Sequence, residues 1–493
     1  MPLLLSGESL RSLPAAVAVP RYDFASLPVG IVHIGIGAFH RAHQAAYTDD
    51  AIAMADGPWG ICGVSLRSPD VRDRMGPQDC LYTVVEKSPA GIAYRVIGSV
   101  REVLFRGDDL EVILARVAAA GTRILSLTVT EKGYGHDPAT GEPNLGHPDI
   151  AHDFAFPDDP VSAVGLIVLA LARRRAAGGG PLTILCCDNL PRNGRLVEKL
   201  VLAFARERDA ALAAWIAANV TFPSTMVDRI VPATTADDLS EVRLALGVLD
   251  SAPVVCEPFR QWVIEGRFAA GHPAWERAGA QFVADVTPFE AMKLRLLNAS
   301  HSMLAYLGFL AGHETIWQVA GQPDFVALMR GLMEEVTPTL ALPAGIDVEA
   351  YKAALVERFA NPALPHRTQQ IAMDGSQKLP QRLLAAIGDN LAAGRPIAHG
   401  ALAVAAWMRY VSGVDEFGRA IAVADPLAAE FARIGAAHRG DPAALARGLL
   451  GLATIFGTDL PRDPRFVDPV TAWLAALFAE GASRTVARAV RRA

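Results

Sequence analysis

VHIGIGAFHRAHQ, residues 32–44, is the stretch on which the fold turns. An apolar run with β-branched residues leads into Gly35 and Gly37, and a helix-like segment follows directly. A dinucleotide fold needs glycines at this place, one for the tight turn and one for close approach of a pyrophosphate. The helix start then offers N–H groups and a positive dipole end to the anion, with His40 and Arg41 expected to add positive charge. His40 stands where a third Gly or Ala is usual. So short a pattern also closes ordinary strand–helix turns, and its surroundings have to decide.

Outward from that turn, strand-like and helix-like runs alternate. VGIVHIGIG (29–37), GICGVSLR (60–67), TRILSLTVT (122–130) and PLTILCCD (181–188) have strand character. LYTVVEK and AYRVIGSV, separated by SPAGI, predict a hairpin or two neighbouring strands. Helical runs cover 39–55, 108–120 and 162–177. Alternation at this spacing predicts a largely parallel sheet with helices on both faces. From Pro288 the β-rich runs stop, and helical periodicity covers 289–311, 323–335, 347–359, 378–394, 397–412, 426–437, 442–455 and 468–491. The expected fold is α/β: a Rossmann-type, mostly parallel sheet domain with insertions over 1–287, then a mostly α-helical substrate and catalytic domain over 288–493.

Bulk properties narrow the function. The 493 residues are 51% hydrophobic and 20% charged, with a formal net charge of −6 and no long run of either sign. No nucleic-acid partner is expected, because no basic stripe is present. The most apolar run, AVGLIVLALA (163–172), has about half the length a membrane span needs and ends in RRR. The N-terminus lacks the form of a signal peptide, so a cytoplasmic protein is expected. Five cysteines are scattered, several in strand-like runs, and neither CxxC nor HExxH occurs. No metal site is expected.

Ligands of open α/β sheets gather at the carboxyl ends of strands. TVTEKGY places Thr130 and Glu131 at one such end, CCDNLPRNG places Asp188 and Asn189 at another, and STMVDRIVP inserts Val227-Asp228-Arg229 at a third. After the second strand, Asp70 is the candidate partner of the adenosine ribose, which would favour NAD. Arg67 and Arg72 flank it and would equally suit a 2′-phosphate.

KLRLLNASHS (293–302) sets Lys293, Asn298 and His301 in otherwise core-like helix. At about 100° per residue, His301 lies about 80° from Lys293, and Asn298 about 60° beyond it. The three share one polar arc, along roughly 12 Å of axis. An alcohol–ketone interconversion needs a base for the hydroxyl proton, and a lysine serves if its pKa is lowered. Amides such as Asn189 and Asn298 can donate to the alkoxide-like oxygen, with no metal required.

These residues bring a resemblance into view. GIGAFHRAHQ (35–44), TVTEKGY (128–134), CDNLPRNG (187–194), TFPSTMVDRIVP (221–232), EPFRQWVIEG (257–266), KLRLLNASHS and MDGSQKLPQR (373–382) resemble the polyol-specific long-chain dehydrogenases, most closely the mannitol 2-dehydrogenase group. The resemblance implies an NAD-dependent, metal-independent enzyme, acting as a monomer on a polyol or ketose. It implies Lys293 as general acid/base, Asn189 and Asn298 as the oxyanion pair, and Asp228 and His301 on substrate hydroxyls. Glu290 would serve proton passage and Lys378 would contact substrate. Gly35, Ile36, Gly37, Ala38 and Phe39 would line the cofactor, and the missing third glycine is usual in this family. D-mannitol and D-fructose are the first expected pair, with D-arabinitol and D-sorbitol as further substrates. A hexuronate reductase, acting on fructuronate or tagaturonate with Arg367 or Lys378 facing the carboxylate, is the alternative. A sugar-phosphate enzyme would need a basic cluster that no stretch supplies. A non-catalytic nucleotide sensor is opposed by the intact Lys293, Asn298 and His301.

Overall fold

VGIVHI forms β1 (Val29–Ile34), buried from Gly30 onward. A strand so apolar on both faces belongs in the middle of a parallel sheet. In chain order follow β2 (Gly60–Ser65), β3 (Tyr82–Ser88), β4 (Gly91–Ile97), β5 (Val100–Phe105), β6 (Ile124–Leu127), β7 (Leu182–Cys186) and β8 (Val220–Thr221). β9 (Thr225–Asp228), β10 (Val254–Cys256), β11 (Gln261–Glu265) and β12 (Gln281–Val283) complete the set. The computed structural model describes residues 3–55, 57–137 and 140–492; the side chains of Glu131, Lys132 and Arg492 lie outside that description.

The main sheet has the order β5-β2-β1-β6-β7-β8, parallel throughout. Strand order reverses between β1 and β6, which creates the crevice where doubly wound sheets take ligands. Alternation along the strands serves two cores. Val32, Ile34, Leu125, Leu127 and Ile184 meet the helices Arg106–Ala118, Ala163–Ala176 and Asn193–Arg208 on one face. Ile31, Ile61, Ile124 and Leu185 meet Tyr47, Ile52, Trp262 and Trp275 on the other. Each such apolar side chain contributes about 1.5–3 kcal/mol on burial.

The hairpin forms as expected: β3 and β4 pair antiparallel, and β10 adds parallel to β3. β5 was not expected as a separate strand. It supplies the sheet's edge, where Arg101 and Glu102 interrupt the apolar pattern that marks inner strands, as edge strands commonly show. STMVDRIVP departs further from expectation. β9 pairs antiparallel with β11 in a separate three-stranded sheet, and so is not an end of the parallel sheet.

By its contacts the chain divides into Met1–Thr287 and Pro288–Ala493. The second unit is helical. Its helix Ala398–Val411 is buried from Gly400 onward and packs with Ala299–Leu310 and Pro464–Glu480 through Trp407, Leu402, Leu304, Phe466 and Leu474. Asp347 and Asp441 cap helix starts by accepting from Ala350 N at 2.9 Å and Ala444 N at 3.0 Å. Several predicted helices are subdivided. The 468–491 run becomes Pro464–Glu480 and Ala482–Arg492, parted at Gly481 with φ +79°. The 289–311 and 378–394 runs each contain a π-helical segment, Lys293–Asn298 and Pro380–Leu384. Pro380 lacks the N–H that an α turn would use. No helix among the described residues is long and apolar enough to cross a membrane.

Candidate active site

The glycine turn follows β1. Gly35 has φ +95°, and a Cβ on it would lie 2.0 Å from the Thr128 carbonyl oxygen, so the protein itself demands glycine there. Gly37 is different: a Cβ would meet only Gly35 O at 3.8 Å, and the residue is exposed. The protein leaves room for a Cβ at Gly37, so the fold itself does not require glycine there. Ala38 and Phe39 are half-exposed beside it, whereas Ile36 turns into the core against Gly63. Ile36 therefore offers a ligand only its backbone.

His40 and Arg41 do not add charge to this turn. His40 is buried with its ring stacked on His33 at 3.4 Å, and burial holds its pKa well below the usual range. Arg41 is also buried; it donates to the Ala252 carbonyl and lies over the Tyr82 ring. The helix after the turn is only Ala38–Ala42, because the chain breaks at His43 before Gln44–Ala55 begins. The break lets both His40 and His43 reach the interior, where His43 Nε2 meets Gln261 O at 2.9 Å. The helix dipole is correspondingly short.

At the strand ends, Thr130 is exposed with φ 69° and ψ 158°, and its N–H donates to Asp188 at 2.9 Å. Glu131 continues as backbone of a short 3₁₀ helix, with its side chain outside the described residues. Asn189 is exposed just past β7, and Asp228 is buried as the last residue of β9, paired with Gln261. Asp70 is exposed in the first turn of the helix Asp70–Met75. Its two neighbours are occupied: Arg67 pairs with Asp149, and Arg72 with Asp73, Asp108 and Asp109. Neither guanidinium is held ready for a 2′-phosphate.

In the helical unit, Lys293 is 8% exposed and Asn298 6%. They open and close the π segment, whose i→i+5 bonding sets them one wide turn apart. The continuous α-helix expected from the sequence would have set them about 140° apart. Asn298 Nδ2 and His301 Nε2 are buried and make no hydrogen bond within the protein. Two such atoms three residues apart call for an explanation, and a bound polar ligand is one. The His301 ring stacks on Phe359 at 5.0 Å and on His366 at 5.7 Å. Burial first, then His366, Arg382, Arg358 and Lys378, push its pKa well below the usual range, so it is neutral.

These cations were only partly foreseen. Lys378 is one of them, with its ammonium donating to Ile371 O at 3.2 Å and to Met373 O. Arg367 is exposed, bridges to Thr315, and is absent from the charges acting on His301. Arg358 and Arg382, which the sequence did not single out, also act on His301. Arg382 reaches Ser302 Oγ at 3.1 Å and Asn298 O at 3.5 Å. Its position in the MDGSQKLPQR run was the available signal. Glu290 lies half-buried in Thr287–Met292, three residues before Lys293. Among the described residues no group of three or more His, Cys, Asp or Glu side chains is placed to hold a metal ion.

Residues 29–277 match the mannitol dehydrogenase Rossmann domain, and residues 285–478 match the mannitol dehydrogenase C-terminal domain. The chain belongs to the mannitol dehydrogenase family. As a member, it is an oxidoreductase with a Rossmann-like parallel sheet and a largely helical C-terminal part. It is 51% identical to the D-mannonate oxidoreductase of Escherichia coli K12, over 96% of this chain and 98% of that one. It is 41% identical to a mannitol 2-dehydrogenase of Phaeosphaeria nodorum, over 99% and 85%. The solved mannitol 2-dehydrogenase of Pseudomonas fluorescens, in ternary complex with NAD and D-mannitol, aligns over 100% of both chains with a TM-score of 0.89 and 42% identity.

Proposed function

We propose that this family member is an NAD-dependent dehydrogenase that oxidises one secondary alcohol of a six-carbon sugar acid of the D-mannonate type to the ketone, reversibly. The observation that carries the chemistry is the π segment. It spans a buried lysine and Asn298, whose buried amide nitrogen has no protein partner. Lys293 takes the hydroxyl proton, Asn298 donates to the oxygen as it becomes alkoxide-like, and His301, being neutral, donates to or accepts from a neighbouring hydroxyl. NAD⁺, when bound, supplies the hydride acceptor. Asn189 and Asp228 are proposed as further substrate contacts, Glu290 as the exit for the proton, and Gly35–Phe39 with Thr130 and Glu131 as the dinucleotide's seat. The open space at Gly37 suits a dinucleotide's pyrophosphate, and the pairing of Arg67 and Arg72 with carboxylates favours NAD over NADP.

Arg382, which reaches Ser302 Oγ at 3.1 Å, and the other cations that act on His301 are compatible with a substrate carboxylate. The 51% relative acts, by its name, on D-mannonate. D-mannitol and D-fructose form the second reading, supported by the full-length likeness to the enzyme solved with D-mannitol. The proposed setting is a cytoplasmic monomer serving small molecules, with 1–287 holding the dinucleotide and 288–493 the base. Absorbance at 340 nm tests the reading directly, with NAD⁺ or NADP⁺ against D-mannonate and D-mannitol separately. Turnover of D-mannonate with NAD⁺ is expected. Faster turnover of D-mannitol would overturn the acid, and silence on both would overturn the lysine mechanism for this substrate class.

A further inference from the structure

Asp188 is a buried acid for which the mechanism above has no use. Its carboxylate accepts three hydrogen bonds: from Val129 N at 2.9 Å, Thr130 N at 2.9 Å and Tyr134 Oη at 2.5 Å. The first two tie the end of β6 to the end of β7. On the far side, Asn193 Nδ2 donates to the Asp188 carbonyl at 2.9 Å and to Thr225 O at 2.9 Å, while Asn193 Oδ1 accepts from Thr225 N at 2.9 Å. Thr225 opens β9, and its Oγ1 donates to the Cys186 carbonyl at 2.7 Å. One continuous, largely buried set of hydrogen bonds thus joins the ends of β6 and β7 to the start of β9. The segments it joins carry Thr130, Asn189 and Asp228.

Thr130 gives this set a purpose beyond stability. At φ 69° and ψ 158° it occupies a region that is essentially reserved for glycine. Such a conformation persists only where the surroundings enforce it, and the Asp188 carboxylate grips the N–H groups of Thr130 and of the residue before it. Arg192, in the turn that leads to Asn193, is also left-handed at φ 46° and ψ 48°. Strain and a buried clasp coincide at both flanks of Asn189. An ordinary structural acid would need neither.

We propose that Asp188 and Asn193 are positioning residues: together they clasp the strand-end loops so that Thr130 meets the dinucleotide and Asn189 meets the substrate. The inference rests on the function proposed above. Asp188 touches no reacting atom in this account; it acts through Thr130 and Asn189. An amide at 188 would set an N–H donor against backbone N–H donors and release the Thr130 turn.

The test is one double-mutant cycle and a milder single variant, all on the full chain. Asp188→Asn is expected to weaken NAD⁺ binding, followed by quenching of tryptophan fluorescence, and to lower kcat/KM for the oxidised substrate by at least tenfold. Tyr134→Phe, which deletes one of the three donors and spares the loop contacts, is expected to show a smaller loss of the same kind. It serves if Asp188→Asn does not fold. The decisive comparison adds Thr130→Gly, which removes the need for enforcement. In that background Asp188→Asn should cost clearly less in NAD⁺ affinity than it does with Thr130 present. An equal cost in both backgrounds, or a fall in Tm with kcat/KM per folded molecule unchanged, would overturn the proposal. Wild-type protein that neither binds NAD⁺ nor turns over would instead overturn the function on which it rests.

Discussion

Lowering the pH from 7 to 5 is expected to destabilise the protein by about 4 kcal/mol through two histidines alone. His33 and His43 are buried and neutral, with burial pushing each pKa down to about 3. In the unfolded chain each returns to the ordinary value of about 6.5. Between those values the unfolded state binds a proton that the native state refuses, so stability rises with pH across the window and falls as acid is added. At pH 5 the gap is about 1.5 pH units below the unfolded pKa, or about 2 kcal/mol per histidine. His40 and His301, held well below their usual range, act with the same sign. Burial raises Asp188, Asp250 and Glu416, which act with the opposite sign, so the imidazole share is read from a histidine variant rather than from the total. The assay is urea unfolding followed by tryptophan fluorescence at pH 7, 6 and 5. Trp262, T-shaped against His43 at 5.6 Å, reports the relevant core. His43→Phe should remove one share, reducing the loss at pH 5 by about 2 kcal/mol whatever its effect at pH 7. A His43→Phe variant that loses as much stability between pH 7 and pH 5 as the wild type would refute the neutral, buried state of that ring.

Further outcomes concern the site. Lys293→Met, which keeps the bulk of a buried side chain, should lower kcat by about 10²–10⁴-fold while leaving NAD⁺ affinity near wild type; an unchanged rate would remove Lys293 as base. Gly37→Ala should leave the urea midpoint unchanged yet weaken NAD⁺ binding, whereas Gly35→Ala should destabilise the fold, since its Cβ would meet Thr128 O at 2.0 Å. Equal folding defects in both would deny that Gly37 makes room for a ligand. Neutralising Arg358 or Arg382 to Gln should raise KM for D-mannonate by about 10–100-fold, the worth of a hydrogen bond to a charged group, with D-mannitol kinetics much less affected. Activity should survive dialysis against EDTA; a loss restored by zinc would contradict the metal-independent mechanism.

Much of this was legible in the sequence because it rests on local pattern. The apolar run before Gly35 became β1, the alternation beyond it became the parallel sheet, and helical periodicity begins where the second unit does. Lys293, Asn298 and His301 stood out because polar side chains in a core-like helix are rare. What escaped the sequence depends on tertiary placement. His40 and Arg41 read as cations beside an anion site, and only burial reveals one as neutral and the other as tied to Ala252. β5 hid behind the charges of an edge strand, and β9 behind a strand pattern that does not say which sheet it joins. The i→i+5 turn at Lys293 leaves no mark in hydrophobic period, because Leu296 and Leu297 satisfy the core in either geometry. Arg358 and Arg382 gained meaning only when folding set them around His301.

The two π segments carry a consequence for how such a protein changes. Each adds one residue per turn to a helix whose remaining turns keep the ordinary beat, much as a leap day keeps a calendar aligned with the seasons. Lys293 and Asn298 lie on one such intercalation and Arg382 on the other. Loss or gain of a single residue at either place would turn these side chains about the axis while the adjoining turns of Leu, Met and Trp stayed in step. Elsewhere in a packed helix the same event would throw a whole apolar stripe towards water. Substrate choice can therefore drift here by length as well as by substitution.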